Sequence, residues 1–343
     1  MYDASGLSAI VAKMPPDDRA KIVGNALAIA AGVTPKAPPA FAADLHRRGD
    51  TRSLESVMAA LGQSPKAFMS SSDFKSAIAE AVRVITVESE RPRDLSHRAI
   101  ARQISVKDFR SGTVPRCDPV ALAELDSIGA VPSIPASVAE AELSNMRSLG
   151  GIVLLTRQSI VNAEWSLLAD LIEELRQAAY RAEADAIFGL LASNPSLPDG
   201  VALFDSSRGN IASTGGAPST TTLASSIAAL SAMTVNGIRL NLRPWGIVAP
   251  VELAMVLAEL MESGANRLLE GGFFVSPALT GTAWYLIPDP SQRPVLGLVH
   301  VGTATEPVVD TKEGFRSDGV GIRCRHSFAG VVLAPFAIRN EGQ

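Results

Sequence analysis

The chain has 343 residues, 47% apolar and 19% charged, a profile that excludes a disordered, collagen-like or coiled-coil chain and fits a protein that buries a core. Thirty-one basic residues against thirty-five acidic ones leave a net charge of −4, so the basic excess of a dedicated nucleic-acid binder is missing. Cys117 and Cys324 are too few for a disulfide framework and too far apart for a zinc site, and no apolar run reaches the ~20 residues that cross a bilayer, so a soluble protein of a reducing cytosol with no membrane partner is expected.

In chain order, residues 1 to 70 read as several short helices. One starts at Ser5, a second opens at Pro15-Pro16-Asp17-Asp18 and runs to Ala31, and others cover 41–48 and 53–61. None is long enough to be stable alone, so they should pack on a neighbour as a small helical appendage. Ser72-Asp73 caps a helix from Phe74 towards Val87. From Lys75 to Arg116 nine basic residues face five acidic ones, a local balance of +4.

Between Cys117 and Arg157 the signals favour extended chain. Strands at 120–128 and 140–156 flank the turn-rich Gly129-Ala130-Val131-Pro132-Ser133-Ile134-Pro135. A two-stranded arm of this kind has no core of its own and must lean on something else. Trp165 to Ser193 is the strongest helix: Leu168, Leu171, Ile172, Leu175, Ala179, Ala182, Ala186, Leu190 and Leu191 recur at three- and four-residue spacing. Its polar positions, with Glu164, Asp170, Glu173, Glu174, Glu183 and Asp185 against Arg176 and Arg181, carry −4. Asn194-Pro195 ends it. The remainder alternates as an α+β domain does, with helices at 223–233 and 251–261 and strands at 246–249, 273–275, 283–287, 295–301 and 306–311. A hairpin pairing 319–325 with 330–338 completes the set.

Catalytic patterns are absent from the sequence. There is no G-x-S-x-G elbow, phosphate loop or H-E-x-x-H pair, and Gly319-Val320-Gly321 lacks the third glycine of a dinucleotide fingerprint. Cys324 and His326 share a strand face, which reads as a structural pair before a reactive one. The acidic residues of the long helix read as solvated charge. No enzyme activity, cofactor or metal is expected.

The order of these elements, an arm, a coreless hairpin, a long helix and an α+β domain, resembles the major capsid protein of tailed phages with the Hong Kong 97-like fold. Short matches follow in register with the capsid portion of prohead protease and major capsid fusion proteins and with Mu-type major head subunits. They include Ser105-Val106-Lys107-Asp108-Phe109, Thr156-Arg157-Gln158-Ser159-Ile160-Val161-Asn162, Glu183-Ala184-Asp185, Ser193-Asn194-Pro195, Leu240-Asn241-Leu242-Arg243-Pro244, Trp284-Tyr285-Leu286 with Pro288-Asp289-Pro290, and Arg325-His326-Ser327-Phe328. Asp205-Ser206-Ser207-Arg208 departs from the family, which often carries histidines there, and Ala334-Pro335-Phe336 replaces an aspartate and tryptophan turn.

The resemblance implies an α+β fold with a helical extension at 1–70, an N-terminal arm at 71–116 and an extended E-loop at 117–157. A peripheral domain at 158–233 and 306–343 would hold the spine helix 164–193, and an axial domain would occupy 234–305. It implies a head protein that self-assembles into pentamers and hexamers of an icosahedral shell around double-stranded DNA. Assembly would take place in a bacterial host's cytoplasm, with portal and decoration or scaffolding proteins as partners. An encapsulin-like compartment around a cargo enzyme is the alternative. The assembly residues expected from charge and position are Arg91, Arg93, Arg98, Arg102, Lys107 and Arg110 of the arm and Glu173, Glu174, Glu183 and Asp185 of the spine. The basic arm should lie on a neighbouring copy's acidic helix or hairpin. Gly150 and Gly151 are a candidate hinge, or else a simple β-bulge.

Overall fold

The computed structural model describes residues 15–33, 35, 72–88, 93–110, 112–120, 138–143, 146–156, 165–313 and 319–341. In chain order these form helices α1 (Pro16–Ala30), α2 (Ser72–Glu88) and α3 (Ser96–Ile100), strands β1 (Ala101–Val106), β2 (Gly112–Cys117), β3 (Val138–Leu143) and β4 (Arg147–Thr156), and the long helix α4 (Trp165–Ser193). Helix α5 (Thr220–Ala232), strands β5 (Thr234–Val235), β6 (Ile238–Arg239) and β7 (Pro244–Pro250) and helix α6 (Ala254–Glu262) follow. Strands β8 (Gly272–Ser276), β9 (Trp284–Pro288), β10 (Leu296–Val301), β11 (Val308–Glu313), β12 (Gly319–Val332) and β13 (Ile338–Asn340) complete the chain. The mixture of helix and strand is the α+β class expected. The helices expected from Ser5, over 41–48 and over 53–61 lie outside the described residues. No helix among the described residues is long and apolar enough to cross a membrane.

The chain divides into two units, the first drawn from Met1–Arg93, Ser148–Tyr180 and Glu306–His326, the second from Asp94–Arg147, Arg181–Thr305 and Ser327–Gln343. In the first, Pro16 pre-sets φ for the opening turn of α1, and Asp17 and Asp18 sit at its positive end. The helix closes at Gly32, which takes φ +84°, while Val33 N–H donates to Ala28 O at 3.1 Å. Val23, Ala26 and Leu27 of α1 pack with Ile78, Ala81, Val82 and Ile85 of α2, and Leu168 and Ile172 of α4 and Ile322 of β12 join them in one core. A Cβ on Gly24 would lie 2.7 Å from the Ala77 carbonyl oxygen, so glycine is what lets the two helices approach this closely. The N-terminal region is therefore core, not appendage, in its described part. A short helix that is marginal by itself is held by apolar burial.

The first unit's sheet pairs β11 antiparallel with the start of β12, from Val308↔Arg325 to Glu313↔Val320, and β4 also pairs with β12. The expected hairpin of 319–325 with 330–338 is instead a single 14-residue strand. Gly330 reads as the start of the hairpin's second strand, but a Cβ there would meet the Ala186 carbonyl oxygen at 3.1 Å and Leu190 Cδ1 at 3.0 Å. It is a close-packing glycine inside a strand.

The second unit holds a four-stranded sheet in the order β13-β9-β7-β8, with β7 parallel to β8 and antiparallel to β9. Gly246 through Pro250 of β7 are all buried, the mark of a strand covered on both faces. Ile247, Val248, Trp284, Leu286 and Ile338 form its core together with Ile187, Phe188 and Leu191 of α4. A capping box opens α5: the Ser219 hydroxyl accepts from Thr222 N–H at 3.2 Å, and Thr222 Oγ1 accepts from Ser219 N–H at 2.9 Å.

A second layer pairs β1 parallel with β10 from Ala101↔Leu296 to Val106↔Val301, and β10 antiparallel with the end of β12. The hairpin β2–β3 runs from Gly112↔Leu143 to Cys117↔Val138. Its inward Ala141 and Leu143 are buried on Val299, Ala329, Val331 and Leu333.

The helix expected from Phe74 towards Val87 is present as α2, and 101–106 is a sheet strand. One expectation is corrected here. The arm hairpin is not 120–128 against 140–156: Val120 is irregular, 121–137 lies outside the described residues, and 140–156 breaks into β3, which pairs with β2, and β4, which pairs with β12. Pro115 is accommodated in β2 because a two-stranded ribbon is all edge and tolerates a missing N–H.

Candidate assembly surfaces

The long helix carries two kinds of acid. In the first unit, Glu173 is 6% exposed and accepts from Arg93 Nε at 3.4 Å and from Gln177 Nε2 at 3.1 Å. One turn further, Arg176 Nη1 donates to the Thr86 carbonyl at 2.7 Å, and Tyr180 hydrogen-bonds the Glu306 carboxylate. Burial first, and then that hydrogen bond and the Glu306 charge, push the Tyr180 hydroxyl up to about 12.

In the second unit Glu183 is fully buried. Arg98 grips it through Nε to Oε1 at 2.6 Å and Nη2 to Oε2 at 3.0 Å, and His97 Nε2 lies 2.8 Å from Oε1. Arg98 Nη2 also donates to the Thr305 carbonyl at 2.7 Å. These bonds fix the short α3 on α4.

Arg93, Arg98, Glu173 and Glu183 are thus spent within the chain, which corrects both the solvated-face reading of the two glutamates and the expectation that these arginines dock on a neighbouring copy. A buried carboxylate persists only with a partner that offsets its lost hydration, and basic residues of the same chain supply it. Sequence reasoning had the right residues and the wrong partner because periodicity places a side chain on a helix face without saying what covers that face. Arg102, Lys107, Arg110, Glu174 and Asp185 are exposed, and Arg110 lies 3.8 Å from Asp108. Arg91 lies outside the described residues.

Apolar exposure marks a different surface. In β4 of the first unit Ile152 is 57% and Leu154 59% exposed and Leu149 is exposed at a position of opposite parity; in the second unit Phe109 and Val138 are as open. Alternation puts Ile152 and Leu154 on one face of the strand. An apolar row left in water marks a contact surface. Gly150 and Gly151 lie within β4, neither with positive φ. A Cβ on Gly150 would come to 3.0 Å from the Cys324 carbonyl oxygen, so this glycine serves strand approach and nothing in its geometry marks a hinge.

Cys324 is buried, its Sγ donates to the Leu175 carbonyl at 3.7 Å, and burial pushes its thiol above the ordinary value, the reverse of an activated nucleophile.

Against known proteins, the model of the phage capsid protein family matches residues 141–339. No functionally curated protein matches. Among solved structures the chain is similar to one from Mycobacterium phage Adephagia, at 12% identity and a TM-score of 0.47 over 76% of this chain and 92% of that one. It is similar to the capsid of Myoviridae phage XM1, at 12% identity and 0.47 over 74% and 94%. The SrpI encapsulin complex from Synechococcus elongatus gives 11% identity and 0.46 over 71% and 85%.

Proposed function

The chain belongs to the phage capsid protein family, whose model covers more than half of it, and we propose that it is the major capsid protein of a tailed-phage head, closing pentamers and hexamers of itself into an icosahedral shell around double-stranded DNA. The family match carries the reading. The unshielded apolar row of β4 and the exposed Val138 of the hairpin β2–β3 supply the physical reason for assembly, because apolar side chains that their own unit leaves open are covered when copies adjoin. Many modest contacts then sum to a very stable particle.

The net charge of −4 suits a container that must not adhere to the polyanion inside it. Portal and decoration or scaffolding proteins are the further partners of this reading, in a virion assembled in a bacterial cytoplasm. The absence of lysine between Lys107 and Lys312 argues against covalent reinforcement through a lysine of the E-loop expected at 117–157.

Negative-stain microscopy of the purified full chain tests the reading. Closed shells are expected and a monodisperse monomer at all concentrations overturns it. Denaturing gels of those shells are expected to show one band at the subunit's 35.9 kDa; a ladder of crosslinked species would contradict the non-covalent shell. Duplex DNA in native particles, as opposed to a cargo enzyme, separates the head from a compartment.

A further inference from the structure

This inference rests on the shell reading and deepens it by naming how one copy recognises the next. Within the second unit a cavity of about 380 Å³ opens at the base of the hairpin, lined by Arg102 and Ile104 of β1, Val114 and Arg116 of β2, Arg293 and Phe336, with no acidic side chain among the described residues of its wall. Arg116 is already engaged. Its Nη1 donates to the Leu333 carbonyl at 2.7 Å, its Nη2 to Asp118 at 3.2 Å, and its guanidinium stands 5.3 Å from the centre of the Phe336 ring. Arg102 and Arg293 form no ion pair with a described residue, and Arg293 Nη1 donates to the Cys117 carbonyl at 3.3 Å. Two guanidiniums with no described counter-charge, over an apolar floor, fit a ligand that is anionic and apolar at once.

The same unit carries such a surface. On α6 and the turn before it Met255 is 73% exposed, with Val251 and Val256 beside it. Glu252 and Glu259, three residues before and four after Met255, are exposed and form no ion pair with a described residue. The face is an exposed apolar side chain flanked by carboxylates, the complement of the cavity in polarity and charge.

We propose that α6 of one copy docks in this cavity on an adjoining copy, Met255 entering over Phe336 while Glu252 and Glu259 meet Arg102 and Arg293. Two different patches of one chain then join head to tail, the kind of contact that repeats into a closed ring. A nucleic-acid backbone would meet the arginines but has no apolar group to set on the floor, so the protein face is the better occupant.

The test is charge exchange in the full chain, read as the assembled fraction by gel filtration and microscopy. R102E with R293E, and separately E252R with E259R, are expected to lower that fraction about tenfold, and all four together to restore it to within about threefold of the wild type, because exchanged charges re-pair. Met255→Ser, which trims an exposed side chain, is expected to weaken assembly with an unchanged monomer circular-dichroism spectrum and keeps the test open if a charge variant misfolds. Either reversal assembling as wild type does, or the fourfold variant doing no better than its parents, overturns the contact while the shell reading stands. Short duplex DNA that binds the wild type, and is lost by R102E with R293E while their shells form normally, makes the cavity a nucleic-acid site and also overturns it. A wild type that never assembles overturns the shell reading itself.

Discussion

Glu183 and Tyr180 illustrate what a single buried group does in this chain. Glu183 is held by three donors in an interior where its charge has no water, so Glu183→Gln leaves the Arg98 guanidinium without its counter-charge. Removing one partner of such a pair costs about 3–5 kcal/mol, and a denaturant titration of the purified subunit should show it, whereas Glu174→Gln on the exposed face should change stability very little. Tyr180 gives a pH signature. Its hydroxyl keeps its proton to about pH 12 in the folded chain against 10.0 for the ordinary group, so the folded state binds the proton more tightly. The stability this represents is complete below pH 10 and is lost as pH rises from 10 to about 12. Tyr180→Phe should flatten the fall of the urea midpoint across that window; an unchanged alkaline slope would contradict the assignment. Neither role was legible in the sequence, because both depend on partners, Glu306 and the α3 pair, that lie far away along the chain.

Elements divide into those whose signal is internal and those whose signal is shared. The helix α4 was legible to the residue, since its stripe repeats for eight turns and Asn194-Pro195 stops it. The hairpin was not: the apolar run 152–155 outweighs 138–143 by composition, yet the latter pairs with β2 because alternation puts Ala141 and Leu143 on a waiting apolar surface. Glycines misled in the same way. Gly150 reads as a hinge or bulge and Gly330 as the start of a hairpin's second strand, yet both are places where a neighbouring element approaches closely enough to crowd a side chain. Gly150→Val should therefore unseat β4 from β12, lowering stability by about 1–3 kcal/mol as overpacked sites do; Gly151→Ala, with open space around it, should be near neutral. Thermal melts of the two variants check the contrast.

At the scale of the molecule, the family and the α+β class were readable from element order, and the fate of the N-terminal region was not. Helix α1 contributes Val23, Ala26 and Leu27 to a core that also needs α2 and the first half of α4. A chain lacking residues 1–33 should lose cooperative melting of the first unit, and Leu27→Ala alone should cost about 2–5 kcal/mol. Mass spectrometry of mature particles is accordingly expected to find α1 still present, in contrast to a disposable leader. Net charge along the 75–116 segment counts arginines without knowing which are already committed inside the chain, as Arg93 and Arg98 are.

The open row of β4 has a cost outside the particle. A strand that shows leucine and isoleucine to water is sticky toward any exposed edge, not only the correct one, so a newly made subunit is a precipitation hazard for as long as it waits. Such a protein does best when synthesis is abrupt and abundant, so that the first surface each copy meets belongs to a sister; expressed slowly or at low dose, the same polypeptide should be found in inclusion bodies or on chaperones.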